Sequence, residues 1–168
     1  MEKNPELIVT FGIRPTYPAE SFGYIQRGEA IASAAGTSTF EVARFREKPD
    51  RQTAEEYLAA GSFYWNSGIF MWKASTIVDA LSRFEPEIAS HIRNIASGIG
   101  TTRFQANFRE HFEKIQGKSI DFAVMERYST IAVIEAPFSW DDVGSWQAIA
   151  RLIRPDGQGY AVEGPYIA

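Results

Sequence analysis

The sequence predicts an α/β fold in which a mixed β-sheet is flanked by helices. Apolar segments typical of buried strands alternate along the chain with segments in which apolar residues recur at helical spacing. Several helical segments follow one another in the centre of the chain, which predicts a less regular version of this fold. The 168 residues, 45% of them hydrophobic, are sufficient for one domain with a substantial core.

The predicted strands lie mainly in the first half of the chain. LIVTFGI (7–13) is apolar throughout, as expected of a strand buried on both faces. GYIQRGEAI (23–31) and FEVARFREKP (40–49) predict a hairpin, since the spacer between them is small and polar. FYWNSGIFMW (63–72) predicts either a strand pair or one strand bent at its Asn-Ser-Gly segment. IAVIEAP (131–137) predicts a further strand.

Helices are predicted from apolar spacing and from end signals. Thr53 and Glu56 have the spacing of a capping box, and Gly61 stands where a helix-ending glycine is expected. Ser119 is expected to cap a short helix, IDFAVME. The other predicted helices carry apolar faces formed by Ile77, Leu81 and Phe84; by Ile88, Ile92 and Ile95; by Phe104, Phe108, Phe112 and Ile115; and by Trp146, Ile149 and Ile153.

Composition excludes several classes of partner. The net charge is −4 and there is no run of lysine or arginine, so a general nucleic-acid partner is not expected. No apolar stretch approaches the ~18 residues of a membrane span, and the N-terminus lacks a signal-peptide core. The absence of cysteine excludes disulfides and thiolate metal sites and fits a cytoplasmic protein. His91 and His111 are far apart in sequence, and we interpret both as structural.

Two short motifs in the first part of the chain suit ligand binding. In SFGYI (21–25), a glycine before an aromatic residue allows close approach of a ligand to the backbone, although an ordinary loop-to-strand junction explains this motif better when it is taken alone. In FREKPD (45–50), Glu47 and Lys48 lie at a strand end, where ligands of α/β sheets gather. A glutamate can accept hydrogen bonds from sugar hydroxyls and a lysine can meet a phosphate. A solvated ion pair before a turn is the alternative.

Two further motifs carry amide and carboxylate groups. Asn66 in YWNSGIF (64–70) can orient a hydroxyl-rich ligand, but Asn-Ser-Gly is equally good turn chemistry. Asp141 and Asp142 in WDDVGSW (140–146) supply the oxygens that Mg²⁺ prefers. Aspartate is also a preferred helix N-cap, so one of the two can cap while the other binds metal. Spacing alone does not distinguish these roles.

Five segments, in order, resemble the sugar-phosphate half of the mannose-1-phosphate guanylyltransferases, a family of sugar nucleotidyltransferases. They are LIVTFGIRPTYPAESFGYI, FREKPD, YWNSGIFMWKAS, SIDFAVMER and WDDVGSW. The resemblance covers almost the whole chain, with Phe22 where the family often has tyrosine. It implies that residues 1–168 form a single partial domain with part of the family's Rossmann-like mixed sheet. It also implies that the intact parent enzyme converts mannose 1-phosphate and GTP to GDP-mannose and pyrophosphate, with Mg²⁺ as cofactor.

The resemblance further implies roles for individual residues. Lys48 and Asp142 would be the catalytic pair, binding the sugar phosphate and the metal ion respectively, with Asp141 the less favoured metal ligand. The remaining substrate-binding positions would be Gly23 and Tyr24, which shape the sugar pocket, Glu47 and Asn66, which bind the sugar, and Asp121, whose role the motif leaves open.

The family's glycine-rich triphosphate loop and its first acidic metal ligand are not found in this sequence. We therefore expect the chain alone to be inactive. The alternatives are a stand-alone sugar-phosphate binding or regulatory module, and a glucose-1-phosphate nucleotidyltransferase. Without the family's first half, segments 7–13 and 63–72 would expose unpaired strand edges, which predicts a homo-oligomer.

Overall fold

A computed structural model describes residues 4–31, 36–144 and 146–153. The chain divides into two units, Met1–Pro137 and Phe138–Ala168. In the first unit the described strands are β1 (Ile8–Ile13), β2 (Tyr24–Ile31), β3 (Thr39–Arg46), β4 (Phe63–Met71) and β5 (Ile131–Glu135). Its helices are α1 (Arg51–Ala60), α2 (Ala74–Phe84), α3 (Pro86–Ser97), α4 (Phe104–Phe112) and a π-helix (Asp121–Met125). The α/β prediction is confirmed.

The strands of the first unit form a closed ring in the order β1-β4-β2-β3-β5. β1 runs parallel to β5, and the other neighbouring pairs are antiparallel. The predicted hairpin is confirmed, since β2 and β3 pair across the spacer. Inside the ring and beneath the helices lies an apolar core built from Ile8, Ile25, Phe45, Tyr64, Ala80, Ala123, Val124, Met125, Ile131 and Val133.

Ring closure changes the expectation about strand edges. β1 pairs with β5 from Ile8 to Gly12 and with β4 on its other side, so the prediction that segment 7–13 has an unpaired edge is wrong. β4 pairs with β2 only over Phe63–Trp65, and its later residues pair with β1. A homo-oligomer stays a prediction, and in the described residues its structural basis is confined to the second half of β4.

β4 is one bent strand rather than a strand pair. Its pairing with β1 shifts between Thr10, opposite Phe70, and Gly12, opposite Asn66, so that extra β4 residues bulge outward. Gly68 lies inside the bulge with φ +71°, a backbone angle that favours glycine. Of the two alternatives left open for this segment, the bent strand is the one formed.

The start of α1 differs from the sequence expectation. The helix begins at Arg51, and the carboxylate of Asp50 accepts a hydrogen bond from the Thr53 amide at 2.8 Å. The predicted capping box of Thr53 and Glu56 is therefore wrong, because an aspartate three residues earlier already caps the helix. The glycine signal at the other end is confirmed, since Gly61 adopts a left-handed conformation directly after the helix.

α3 and α4 form a less buried layer of the first unit. Helix α4 contains no buried residue and ends at Phe112, whose side chain is 58% exposed, so the predicted apolar stripe to Ile115 does not continue as helix. His91 of α3 and His111 of α4 come together, with their Nδ1 atoms 3.0 Å apart. The two histidines thus join neighbouring helices, in keeping with a structural interpretation.

In the second unit, the described residues form a loop over 138–144 and helix α5 (Trp146–Leu152). The predicted last helix is confirmed. No helix among the described residues has the length and apolar character needed to cross a bilayer.

Candidate functional site

Four of the predicted site residues meet in the first unit. Gly23 precedes β2, Glu47 follows β3, Asn66 lies in β4, and Asp121 begins the π-helix. The amide of Asn66 donates to the Gly23 carbonyl at 2.7 Å, and the Asn66 side-chain Nδ2 donates to Asp121 Oδ1 at 3.1 Å. We call Gly23, Glu47, Asn66 and Asp121 the carboxylate–amide cluster. Sequence separations of up to 98 positions are thus closed by the fold.

Gly23 lies against the Glu47 side chain. A Cβ atom at residue 23 would collide with Glu47 Oε2 and would lie 3.2 Å from the Cβ of Asn66. With glycine at this position, the Glu47 carboxylate keeps its observed place without a clash. The glycine of SFGYI thus has a local steric role, and its part in ligand binding stays a prediction.

Glu47 and Lys48 form a tight turn at the end of β3. The Nζ of Lys48 lies 3.2 Å from Glu47 Oε1, and the side chain of Lys48 is 62% exposed while that of Glu47 is 10% exposed. Lys48 has φ +45°, and among the described residues it is the one non-glycine with a positive φ. Such strain in a lysine requires surrounding structure to hold it, and strained residues of this kind concentrate at functional sites.

The second oxygen of the Glu47 carboxylate is unsatisfied. Oε2 is buried and has no hydrogen-bond partner among the described residues. Burial raises the pKa of Glu47, and the nearby Asp121 and Glu126 charges add to this, while Lys48 opposes it. A buried acceptor without a donor is costly. A hydroxyl group of a ligand would supply the missing donor.

Asn66 serves the turn and the cluster at once. Its Oδ1 accepts a hydrogen bond from the Gly68 amide at 3.0 Å, which is the turn chemistry expected of Asn-Ser-Gly. Its Nδ2 simultaneously donates to Asp121. The turn interpretation is confirmed, and the role of Asn66 in orienting a hydroxyl-rich ligand stays a prediction.

Tyr24 differs from the other predicted pocket residues. Its side chain is fully buried and its ring centroid lies 5.3 Å from that of Tyr57 in α1. Its hydroxyl is buried without a partner among the described residues, and burial raises its pKa. The structure thus places the Tyr24 side chain against α1, whereas its neighbour Gly23 belongs to the carboxylate–amide cluster.

Glu126 contacts the site but was missed from the sequence. Its Oε1 accepts a hydrogen bond from the Glu47 amide at 3.1 Å. Glu126 lies within the motif SIDFAVMER, but α-helical spacing would not place it on the same face as Asp121. The π-helix does so, and neither the composition nor the period of this short segment predicts a π-helix.

Asp141 and Asp142 lie in the second unit, in the loop before α5. They are five and four residues ahead of Trp146, the first described residue of α5. Whether one of them caps the helix stays a prediction. The Asp142 carboxylate folds over Gly144, with Oδ1 3.5 Å from the position of a Cβ there. Within residues 4–31, 36–144 and 146–153 no group of three or more metal-ligating side chains is found.

A second polar cluster, not predicted from the sequence, surrounds Glu135 at the end of β5. Arg14 Nε and Nη2 donate to the two Glu135 carboxylate oxygens at 2.7 and 3.2 Å, and the Tyr64 hydroxyl donates to Oε2 at 2.7 Å. Arg27 Nη1 donates to the Tyr64 hydroxyl at 3.3 Å. The hydrogen bond from Arg14 is the main cause that lowers the pKa of Glu135. We call these residues the Glu135 network.

Comparison with known proteins shows the family to which the chain is similar. The family model for nucleotidyl transferases matches residues 1–158. The mannose-1-phosphate guanylyltransferase of Escherichia coli is 40% identical over 158 residues, which are 94% of this chain and 33% of that protein. The xanthan biosynthesis protein XanB of Xanthomonas campestris pv. campestris (strain B100) is 40% identical over 161 residues, covering 95% of this chain and 33% of that protein.

A solved structure shares the fold. The crystal structure described as mannose-1-phosphate geranyltransferase from Thermus thermophilus matches with a TM-score of 0.73 and 30% identity, covering 88% of this chain and 40% of that one. The chain spans about a third of the length of the curated relatives it matches. With a family model matched over nearly its whole length, the chain belongs to the nucleotidyl transferase family.

Proposed function

We propose that this chain is the sugar-phosphate-binding part of a mannose-1-phosphate guanylyltransferase. In the whole protein, mannose 1-phosphate would attack the α-phosphorus of GTP, forming GDP-mannose and releasing pyrophosphate. The observation that carries the proposal is the carboxylate–amide cluster, in which Glu47 Oε2 is buried without a donor among the described residues while Lys48 stands beside it. A sugar phosphate carries both complementary groups: a hydroxyl that can donate to Glu47 and a phosphate that can pair with Lys48.

Different residues of the first unit bind different parts of the ligand. Glu47 accepts hydrogen bonds from the sugar, and Asn66 and Asp121, which hold each other at 3.1 Å, fix the wall of the site. The side chain of Lys48 is 62% exposed, so its ammonium group can turn toward a phosphate. Gly23 allows the Glu47 carboxylate to lie against the backbone. This arrangement orients the sugar phosphate for attack, and orientation is a large part of catalysis in such transfers.

Mg²⁺ and GTP belong to the same proposal. Asp142 would hold the metal ion, with Asp141 as the alternative, and their carboxylate oxygens suit a hard cation that keeps substrate phosphates as its other ligands. The ion would neutralise negative charge on the phosphates.

Binding of mannose 1-phosphate to the purified chain tests the proposal. Calorimetric titration should show saturable binding of mannose 1-phosphate, weaker binding of inorganic phosphate, and loss of binding in Lys48→Ala. Glucose 1-phosphate is the comparison ligand, and tighter binding of it would favour the glucose-1-phosphate nucleotidyltransferase alternative. No binding of any sugar phosphate at millimolar concentration would refute the proposal for this chain.

Catalysis by the chain alone is the second arm of that test. We expect no pyrophosphate release from GTP, mannose 1-phosphate and Mg²⁺, because the sequence shows no triphosphate loop. Turnover within the usual enzyme range of roughly 1–10³ s⁻¹ would show that this expectation is wrong. Binding without turnover is also what a stand-alone binding module would show. Turnover that appears when the nucleotide-binding half of a relative is added in trans would separate the two.

We also propose that the chain self-associates through the second half of β4. Ile69 and Met71 are 43% and 48% exposed there, and the described residues provide a strand partner on one side of this segment. Such an edge favours pairing with a second copy. Sedimentation over a dilution series should show a reversible dimer that Met71→Lys weakens, and a monomer at the highest concentration would contradict it.

A further inference from the structure

The π-helix brings two acidic side chains to the same face. The amide of Glu126 donates to the carbonyl of Asp121 at 3.0 Å, a bond that spans five residues. Residues joined in this way lie one above the other along the helix axis, as residues four apart do in an α-helix. Asp121 and Glu126 therefore both face the carboxylate–amide cluster. With regular α-helical turns, Glu126 would point elsewhere.

Each acid contacts a different part of the cluster. Asp121 accepts the side-chain amide of Asn66 at 3.1 Å, on β4. Glu126 accepts the backbone amide of Glu47 at 3.1 Å, just beyond β3. The π-helix is thus the element that ties the end of β3 to the middle of β4, and it does so with one carboxylate on each.

The bond to Glu126 lies at the point of strain. Glu47 is followed at once by Lys48 with φ +45°, a conformation that is unfavourable for lysine. A carboxylate that accepts the Glu47 amide fixes the Arg46–Glu47 peptide, one peptide before the one that leads into this strained residue. Arg127 is directed away from the site, to the Phe84 carbonyl at 3.1 Å and to Glu85, so it does not neutralise Glu126.

A negative charge at this position is unfavourable for binding a phosphate. Glu126 is exposed, and its charge adds to those of Glu47 and Asp121 around the cation of Lys48. Glu126 would repel a phosphate, yet it contacts the turn formed by Glu47 and Lys48. A role in holding this turn therefore explains Glu126 better than a role in binding the ligand.

We propose that Glu126 is a positioning residue of the sugar-phosphate site, which acts by holding the Glu47 amide and with it the left-handed turn at Lys48. Its carboxylate serves as a hydrogen-bond acceptor and does not itself contact the ligand. The site residues assumed here rest on the proposed function. The hydrogen bond and the turn do not depend on it.

Paired variants separate the acceptor from the charge. Glu126→Gln keeps an acceptor oxygen but removes the charge, whereas Glu126→Ala removes both. We expect Glu126→Ala to weaken mannose 1-phosphate binding about tenfold, equivalent to the ~1.4 kcal/mol of one good hydrogen bond. Glu126→Gln should bind within about twofold of wild type, since neutral acceptors still hold an amide. Glu110→Ala, an exposed glutamate of α4 paired with Lys114 at 3.1 Å, is the matched control and should leave binding unchanged.

Amide hydrogen exchange at Glu47, followed by NMR on the full chain without ligand, provides a readout that does not require binding. Exchange should accelerate in Glu126→Ala and stay slow in Glu126→Gln, while the amides of α4 are unchanged. Equal exchange in all three proteins, or equal loss of binding in both Glu126 variants, would overturn the inference. If wild type binds no sugar phosphate but the exchange results hold, the proposed function fails while the positioning of the turn stands.

Discussion

Two glutamates at strand ends of the same ring differ in how they are satisfied. Glu135, the last residue of β5, accepts three hydrogen bonds from Arg14 and Tyr64 on its two oxygens. Glu47, directly after β3, has one oxygen near Lys48 and one buried with no partner among the described residues. The pKa of Glu135 is lowered by Arg14, and that of Glu47 is raised by burial. The two carboxylates are chemically identical, but their surroundings differ: the ionised form of Glu135 stabilises the fold, whereas the ionised form of Glu47 destabilises it.

This difference suggests a structural role for Glu135 and a ligand-binding role for Glu47. A satisfied carboxylate stabilises the fold and has nothing left to offer a ligand. An unsatisfied one costs folding free energy and keeps an acceptor available, as binding sites commonly do. Substitutions on the Glu135 side should therefore lower stability without changing binding, and those at Glu47 should weaken binding without lowering stability.

The largest effect on stability is expected from a substitution at Gly12, which crowds Tyr64 of the Glu135 network. A Cβ at Gly12 would lie 2.7 Å from Tyr64 Cβ and from Val133 Cγ2, both in the core. Gly12→Ala must displace Tyr64 or Val133, and we expect the displacement to disturb the hydrogen bond from Tyr64 to Glu135. Overpacking together with the weakened bond should lower the free energy of unfolding by about 3 kcal/mol. Urea unfolding measures this. Gly28→Ala, whose Cβ would meet nothing closer than 3.4 Å, is the control, and equal losses in both variants would contradict the argument.

Of the two glutamates, Glu47 should have the larger effect on binding when its charge is removed. Glu47→Gln loses the ion pair with Lys48 at 3.2 Å and replaces a carboxylate acceptor by an amide. Charged hydrogen bonds contribute about 1.5–3 kcal/mol, so mannose 1-phosphate should bind roughly 10- to 100-fold more weakly. Calorimetry with Glu135→Gln as the control tests the contrast directly. Equal losses of mannose 1-phosphate affinity in the two variants would contradict the assignment of different roles to the two glutamates.

These two sites were not equally accessible to sequence analysis. Gly23, Glu47, Lys48 and Asn66 fall in short motifs whose chemistry can be read locally, whereas Asp121 was named only through the family resemblance. The structure brings Gly23, Glu47, Asn66 and Asp121 into one cluster. The Glu135 network could not be found in this way, because Arg14 and Glu135 are 121 positions apart and neither belongs to a recognisable pattern. It exists only because β1 and β5 run parallel as neighbours.

Element types were predictable where a strong period or end signal was present, and details set by tertiary contacts were not. The alternation of strands and helices and the hairpin were confirmed, since apolar runs and turn residues fix them locally. Closure of the strands into a ring, the bulge of β4 and the π-helix depend on contacts between distant segments. Glu126 was missed for this reason, because its place in the site follows from the π-helix.

Glu135→Gln should show a moderate loss of stability that depends on pH. The folded-state pKa of Glu135 is lowered, so its stabilisation is present above the unfolded-state carboxyl pKa and is lost as the pH falls through the folded-state value. At pH 7 the variant should unfold with about 1.5 kcal/mol less free energy than wild type. The two proteins should converge in acid. A difference that persists undiminished at the lowest pH where both still fold would show that the ionised carboxylate is not the cause.

The smallest effect has the opposite sign, and it is the most discriminating because few substitutions of a polar site residue stabilise a protein. The raised folded-state pKa of Glu47 means that its ionised form opposes folding at neutral pH. Glu47→Gln should therefore raise the free energy of unfolding at pH 7 by about 1 kcal/mol, although the same variant binds mannose 1-phosphate more weakly. As the pH falls through the folded-state pKa toward the unfolded-state value, wild-type Glu47 is protonated and the gain should vanish. Chemical denaturation from pH 7 to acid measures both the sign and the window. A loss of stability at pH 7, in step with Glu135→Gln, would mean that the Lys48 pair outweighs burial and that Glu47 is a structural carboxylate like Glu135.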